Sequence, residues 1–178
     1  MNRLWFCALG ALSLIGVLTG CAAPRQDPVS PVPEQLKAPA SQVLSIQVHA
    51  SGMQIYECQP GKDDPTRLVW TLRAPEAELF DATGRVAGKH YAGPTWEAND
   101  GSKVVGEVVA RDNGPDPTAI PWLLLRATSV AGSGVLEQTQ SIQRLHTFGG
   151  KAPAEGCSPT QKGTQLRVPY AADYLFYR

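Results

Sequence analysis

Neither sign of charge prevails in this chain of 178 residues: 16 basic and 16 acidic side chains cancel. Removing residues 1–20 takes away only Arg3, which leaves 15 basic against 16 acidic. So balanced a surface has no electrostatic footprint for a nucleic acid. It also lacks the basic patch that would hold a protein on anionic lipid. No dinucleotide-binding fingerprint occurs, which removes the signature of a nicotinamide or flavin enzyme. His49, His90 and His146 are the only histidines, and no two stand at a metal-ligand spacing such as i, i+2 or i, i+4. The spacing therefore supports no metal and no cofactor, and only a site assembled from all three in space stays open. Gly132-Ser133-Gly134 has only half of a nucleophile elbow and reads as a turn. No internal repeat is visible. Long helices are disfavoured as well, since 17 glycines and 15 prolines together exceed a tenth of the chain.

What is present begins with an address. Arg3 precedes an apolar run from Leu4 to Val17, too short for a spanning helix of ~20 residues but suited to a signal-peptide core. Leu18-Thr19-Gly20-Cys21 follows and resembles the bacterial lipobox. The resemblance implies cleavage before Cys21, acylation of that residue on sulfur and then nitrogen, and anchoring by several acyl chains at ~0.8 kcal/mol per buried methylene. An ordinary cleaved signal peptide with an incidental cysteine is the plainer alternative. Ala22 in place of an aspartate favours the outer membrane of a Gram-negative envelope, by analogy with the sorting of such proteins. Residues 21–41 carry Pro24, Pro28, Pro31, Pro33 and Pro39 and read as a lipid-anchored, extended stalk. The folded domain is expected over 42–178.

Four cysteines reduce to two in that domain. Cys7 leaves with the signal peptide and Cys21 carries lipid, so Cys58 and Cys157 remain. An even pair in an exported domain points to a disulfide. Closing a loop of that length is worth up to ~4.7 kcal/mol in the chain-entropy model. Two free thiols, or a two-cysteine metal site, are the other readings.

Alternation at period two recurs along residues 42–178. Leu44, Ile46 and Val48 alternate with Ser45, Gln47 and His49, and Ser51-Gly52 reads as a turn into a second strand, Met53 to Gln59. Leu68 to Arg73 reads as a third, and Ala77 to Phe80 as a short strand or a helical turn. Asn99-Asp100-Gly101 is a strong hairpin signal. Pro121 to Val130 begins as a continuous apolar run, Val135 to Leu145 alternates weakly, and Gln165 to Tyr177 closes the chain as a strand pair around Pro169. About ten short strands predict an all-β antiparallel sandwich or a partly closed barrel.

Six stretches resemble a bacterial and fungal family known as domain of unknown function 3455. They are Gly52 to Cys58 (GMQIYEC), Ala74 to Asp81 (APEAELFD), His90 to Lys103 (HYAGPTWEANDGSK), Ala119 to Leu124 (AIPWLL), Gly149 to Pro153 (GGKAP) and Val168 to Tyr174 (VPYAADY). The resemblance implies an extracytoplasmic domain and carries no established activity with it.

Candidate ligand-binding residues concentrate in the third of these stretches: His90, Tyr91, Trp96, Glu97 and Asp100, with Trp122 further on. Trp96 is a platform for a sugar or another planar group, and His90 with Glu97 or Asp100 has the residue types of a base and an acid. Alternation works against a shared site, because Trp96 and Glu97 would face opposite sides of one strand. No residue carries a catalytic signature. The expectation is therefore a membrane-tethered envelope module that binds a glycan, a small molecule or an envelope protein. An enzyme on an envelope substrate and a structural or assembly role are the alternatives.

Overall fold

The computed structural model describes residues 31–178, so the expected signal peptide, Cys21 and the start of the proline-rich stretch lie outside the described residues. A 3-10 turn at Glu34–Leu36 precedes eight strands: β1 Leu44–Pro60, β2 Leu68–Phe80, β3 Val86–Tyr91, β4 Thr95–Ala98, β5 Lys103–Asp112, β6 Trp122–Ala131, β7 Ser141–Gly149 and β8 Gln165–Tyr177. A second 3-10 turn, Pro159–Gln161, lies between β7 and β8. Each strand pairs antiparallel with the next, and β8 returns to β1, so the sheet is a closed barrel.

Eight strands, of which β1, β2 and β8 run for 17, 13 and 13 residues, stand where about ten short ones were expected. Ser51-Gly52 is no turn, because β1 runs straight through it and Gly52 pairs with Ala77 of β2. A Cβ at Gly52 would lie 2.2 Å from the Glu76 carbonyl oxygen and 2.6 Å from Ala77 Cβ. The glycine marks a close approach of two strands, the other meaning of glycine inside a strand pattern. Leu68 to Phe80 is likewise one strand despite Pro75, with a register shift in β1 between Ile55 and Tyr56 opposite. The last segment is a single strand through Pro169. Asn99 to Gly101 does form the turn between β4 and β5.

Alternation sends one face of each strand inward. Val48, Ala50, Gln54, Tyr56 and Cys58 of β1, and Tyr170, Ala172, Tyr174 and Phe176 of β8, are buried. One end of the barrel is packed with Leu79, Val104, Ile142 and Phe176, and Leu136 from the β6–β7 connection joins that cluster. That connection is tied down at the β4–β5 turn: Val135 N–H donates to Asp100 Oδ2 (2.8 Å) and Leu136 N–H to Ser102 Oγ (3.1 Å). At the opposite end the Cys58–Cys157 disulfide is formed, with Cα atoms 6.0 Å apart. It joins β1 to the long β7–β8 connection.

The described part of the stretch expected to be stalk, residues 31–41, lies against the outer wall instead. Leu36 is fully buried in a second apolar cluster with Trp122 and Leu145. The Leu36 carbonyl accepts from Gln143 Nε2 (2.5 Å), and Gln35 Nε2 donates to Asp112 Oδ2 (2.9 Å). Both apolar clusters lie within residues 32–176, so the chain from Ala22 onward contains the complete core. If docking of this segment stabilises the barrel, Leu36→Ala should cost ~2–5 kcal/mol in urea unfolding. A loss below ~0.5 kcal/mol, the scale of an ordinary surface change, would mean that the segment merely rests there.

Candidate functional site

An eight-stranded barrel has an interior just wide enough to be filled by side chains or to hold one small ligand. Here one half is filled and the other is not. At the end carrying the β3–β4 and β5–β6 connections, a chamber of about 430 Å³ opens among Gln54, Tyr56, His90, Trp96, Arg144 and Tyr174. Its walls are completed by Leu72, Val108, Ile120, Leu123 and Leu125. The volume falls in the range of small-molecule pockets, ~300–1,000 Å³.

Aromatic rings form its floor. His90 and Trp96 face each other across the β3–β4 ladder, stacked with centroids 4.4 Å apart and planes 11° from parallel. Tyr174 meets both edge-on, at 5.0 and 5.2 Å. Room for the indole comes from Gly106 of β5, where a Cβ would stand 3.1 Å from Trp96 Cζ3. His90 Nδ1 lies 2.8 Å from the Thr95 carbonyl oxygen, which only accepts. Nδ1 therefore carries the proton and Nε2 presents a lone pair. Burial, with a further push from the Arg144 guanidinium, drives the His90 pKa down to about 3 against the opposing effect of the Thr95 bond. The ring is neutral at physiological pH.

Polar atoms stand unpaired around this floor. Gln54 Nε2 and Trp96 Nε1 are buried without a hydrogen-bond partner in the protein, while the Tyr170 and Tyr174 hydroxyls neighbour each other, and Tyr174 also Arg144, without a bond of good geometry. Gln54, Trp96 and Tyr174 are each 1% exposed and line the chamber. Tyr56 is satisfied, its hydroxyl donating to the Gly150 carbonyl (2.6 Å). Burial raises the pKa of all three tyrosines, so their hydroxyls keep their protons. Arg144 donates from Nε (3.0 Å) and Nη2 (2.8 Å) to the Pro121 carbonyl at the rim.

Of the residues singled out in the sequence, His90 and Trp96 lie in this chamber and the others do not. Tyr91 and Glu97 are on the outer face, where Tyr91 O–H donates to Glu97 Oε2 (2.7 Å) and Lys89 and Lys103 approach the same carboxylate at 3.5 and 3.7 Å. Those contacts, the tyrosine bond foremost, hold the Glu97 carboxyl below its ordinary range. His90 and Glu97 thus face opposite sides of the wall and form no acid–base pair. Asp100 belongs to the closed end, where Ser102 and Val135 bind its carboxylate and lower its pKa. Trp122 is on the outer wall beneath Leu36. His49 and His146 both bond Asp173 through Nδ1, each at 2.9 Å, on the outer face, while His90 is inside. Among the described residues no group of three or more His, Cys, Asp or Glu is arranged to hold a metal ion.

Gln54, Tyr56, Arg144 and Tyr174 were not singled out in the sequence. Their signal was parity: each shares a face with apolar neighbours that point into the barrel, such as Ala50, Ile142 and Phe176.

The buried imidazole makes stability depend on pH. Between its ordinary value of 6.5 and its folded value of about 3, the unfolded chain holds a proton that the folded chain does not. Stability is therefore complete above about pH 6.5 and is lost as pH falls toward 3. The slope approaches ~1.4 kcal/mol per pH unit, or about 2 kcal/mol by pH 5. His90→Phe, which keeps a ring against Trp96, should lose about that much less than wild type when urea unfolding is compared at pH 7.5 and pH 5. Parallel losses in the two proteins would show that His90 is not the group responsible.

No curated protein and no solved structure matches this chain. A family model described as protein of unknown function (DUF3455) matches residues 39–178, which span the entire barrel. The chain belongs to that family.

Proposed function

We propose that the mature protein is a lipid-anchored module of the bacterial cell envelope that binds a small molecule in the open end of its barrel. The observation that carries this reading is the chamber with its unpaired buried polar atoms. Buried polar groups in proteins are nearly always hydrogen-bonded, and leaving one unpaired costs ~1–3 kcal/mol. Gln54 and Trp96 carry such atoms in the lining of one pocket, and a ligand with matching groups would pair them. The apolar walls suit a compact molecule better than a long envelope glycan, since pockets of this kind take most of a small ligand's surface out of water. The anchor rests on the sequence: the apolar leader and Leu18-Thr19-Gly20-Cys21 support acylation of Cys21, and Ala22 supports retention at the outer membrane of a Gram-negative cell.

A thermal-shift screen of the chain from Ala22 onward, against envelope metabolites, lipid fragments and nucleotides, tests the binding role. A ligand at 100 times its dissociation constant stabilises by ~2.7 kcal/mol. At ~2–4 °C per kcal/mol the midpoint should rise by several degrees, and Trp96→Ala should abolish the rise. A screen that leaves the midpoint of a folded, oxidised sample unmoved would count against a small-molecule site and for a protein partner. The anchor has its own test. Wild type expressed from its precursor should partition into detergent and carry the mass of acyl chains on Cys21, and Cys21→Ser should do neither. Equal partitioning of the two would remove the lipid from the account.

A further inference from the structure

Charge in the chamber is of one sign. Arg73, Arg111 and Arg144 line it, and among the described residues no aspartate or glutamate does. Arg73 is committed outside to Glu57 (3.2 Å), and Arg111 is exposed at the mouth. Arg144 is different. It follows Ile142 by two positions in β7 and shares its inward face, and it is partly buried. Two of its nitrogens donate to one neutral carbonyl, that of Pro121. The guanidinium has five N–H donors, so part of its capacity remains beyond Pro121 and the neighbouring Tyr174 hydroxyl, and its charge meets no carboxylate among the described residues. Its field is felt at Tyr56, His90, Tyr170 and Tyr174, which places it centrally among the chamber's polar groups. A cation drawn into a low-dielectric site is costly until an anion joins it.

The unpaired atoms point the same way. An indole N–H and an amide NH₂ can only donate, and both Trp96 Nε1 and Gln54 Nε2 lack acceptors. The Tyr174 hydroxyl, beside Tyr170 and Arg144, can donate as well. The His90 Nε2 lone pair apart, unmet demand in the chamber is therefore for acceptor atoms, and the nearby cation favours acceptors that carry negative charge. Around these groups the surface is hydrocarbon: Ile120, Leu123 and Leu125 within, Leu72 and Val108 at the mouth.

We propose that the ligand is a small organic carboxylate with an apolar body, its charged group received by Arg144 and the neighbouring N–H donors and its body laid against the aliphatic wall. This inference rests on the reading of the chamber as a binding site and adds the chemical class. Arg111 would draw the anion toward the mouth, where exposed charges act on encounter more than on final affinity.

The test sets each acid against its uncharged amide. Octanoate with octanamide, and 2-naphthoate with 2-naphthamide, are titrated calorimetrically into the chain from Ala22 onward at pH 7.5, where both acids are ionised. Each acid should bind at least about tenfold tighter than its amide, as hydrogen bonds to a charged group imply. Arg144→Met should bring that ratio close to one while leaving amide binding in place, and Arg144→Lys should restore part of it. Val108→Trp, at the exposed rim, should obstruct acid and amide alike. If acid and amide bind equally in wild type and Val108→Trp blocks both, the anion inference fails and the chamber stands. If binding occurs and Val108→Trp leaves it untouched, or if no member of either pair binds, the chamber reading fails with it. Where Arg144→Met does not fold, the wild-type ratio and Arg144→Lys decide the matter.

Discussion

β8 runs antiparallel to β1 from Tyr177 opposite Leu44 to Gln165 opposite Glu57, and this seam turns a meander of strands into a tube. An open sheet of eight strands would have two exposed edges and one interior face to cover with something else. Closed on itself it has no edge, and its interior face must be filled by its own side chains or by what it binds. The seam joins the two ends of the domain and so depends on contacts of the longest sequence separation. It also depends on Gly52, which lies on β1 between Ala77 of β2 and Tyr170 of β8. A side chain there would meet the Glu76 carbonyl before the strands could close.

Closure at this strand number fixes how much can be placed inside, and the chain spends that volume unevenly. Phe176, Ile142, Leu79 and Leu136 make one end an ordinary apolar core. Toward the other end the inward positions become Gln54, Tyr56, His90, Trp96, Arg144 and Tyr174. The same alternation that buries Ala50 and Ile142 turns Gln54, two inward positions further along β1, and Arg144, one further along β7, toward the interior. Polar residues at those positions are poor for stability, and an aliphatic residue at position 54 or 144 would fill the tube at lower cost. Their presence is best understood through what they can receive.

The class of the fold was legible because period-two alternation is strong in residues 44–48 and glycine and proline punctuate the rest. Strand number was not, because the same glycine and proline have two meanings. Ser51-Gly52 looks like a turn in one dimension, and Pro75 falls in a break between two predicted segments. In three, Gly52 admits a neighbouring backbone and Pro75 sits in β2 opposite Gln54, beside a register shift. The opposed faces of Trp96 and Glu97 were legible from parity alone. So was the pairing of Cys58 with Cys157, by elimination in a chain read as exported. The chamber was not legible, since its residues come from all eight strands and share no local spacing. Arg144 in particular sits in a weakly alternating stretch, where an inward arginine is indistinguishable from a solvated one.

The placement of the disulfide follows from this division of the interior. At the packed end, interdigitated aromatic and aliphatic side chains hold the strands together, and the β6–β7 connection is pinned through Asp100 and Ser102. At the chamber end that packing is interrupted, and the β1–β2 hairpin extends beyond it with no core of its own. Cys58 lies in that extension, and its bond to Cys157 ties the hairpin to the β7–β8 connection. A covalent tie there supplies at the rim what hydrophobic packing supplies elsewhere. It stabilises mainly by restricting the unfolded chain and demands no volume inside the barrel. A barrel with an open chamber at one end is the kind of structure in which such a tie is most useful, because it secures the rim without filling the chamber.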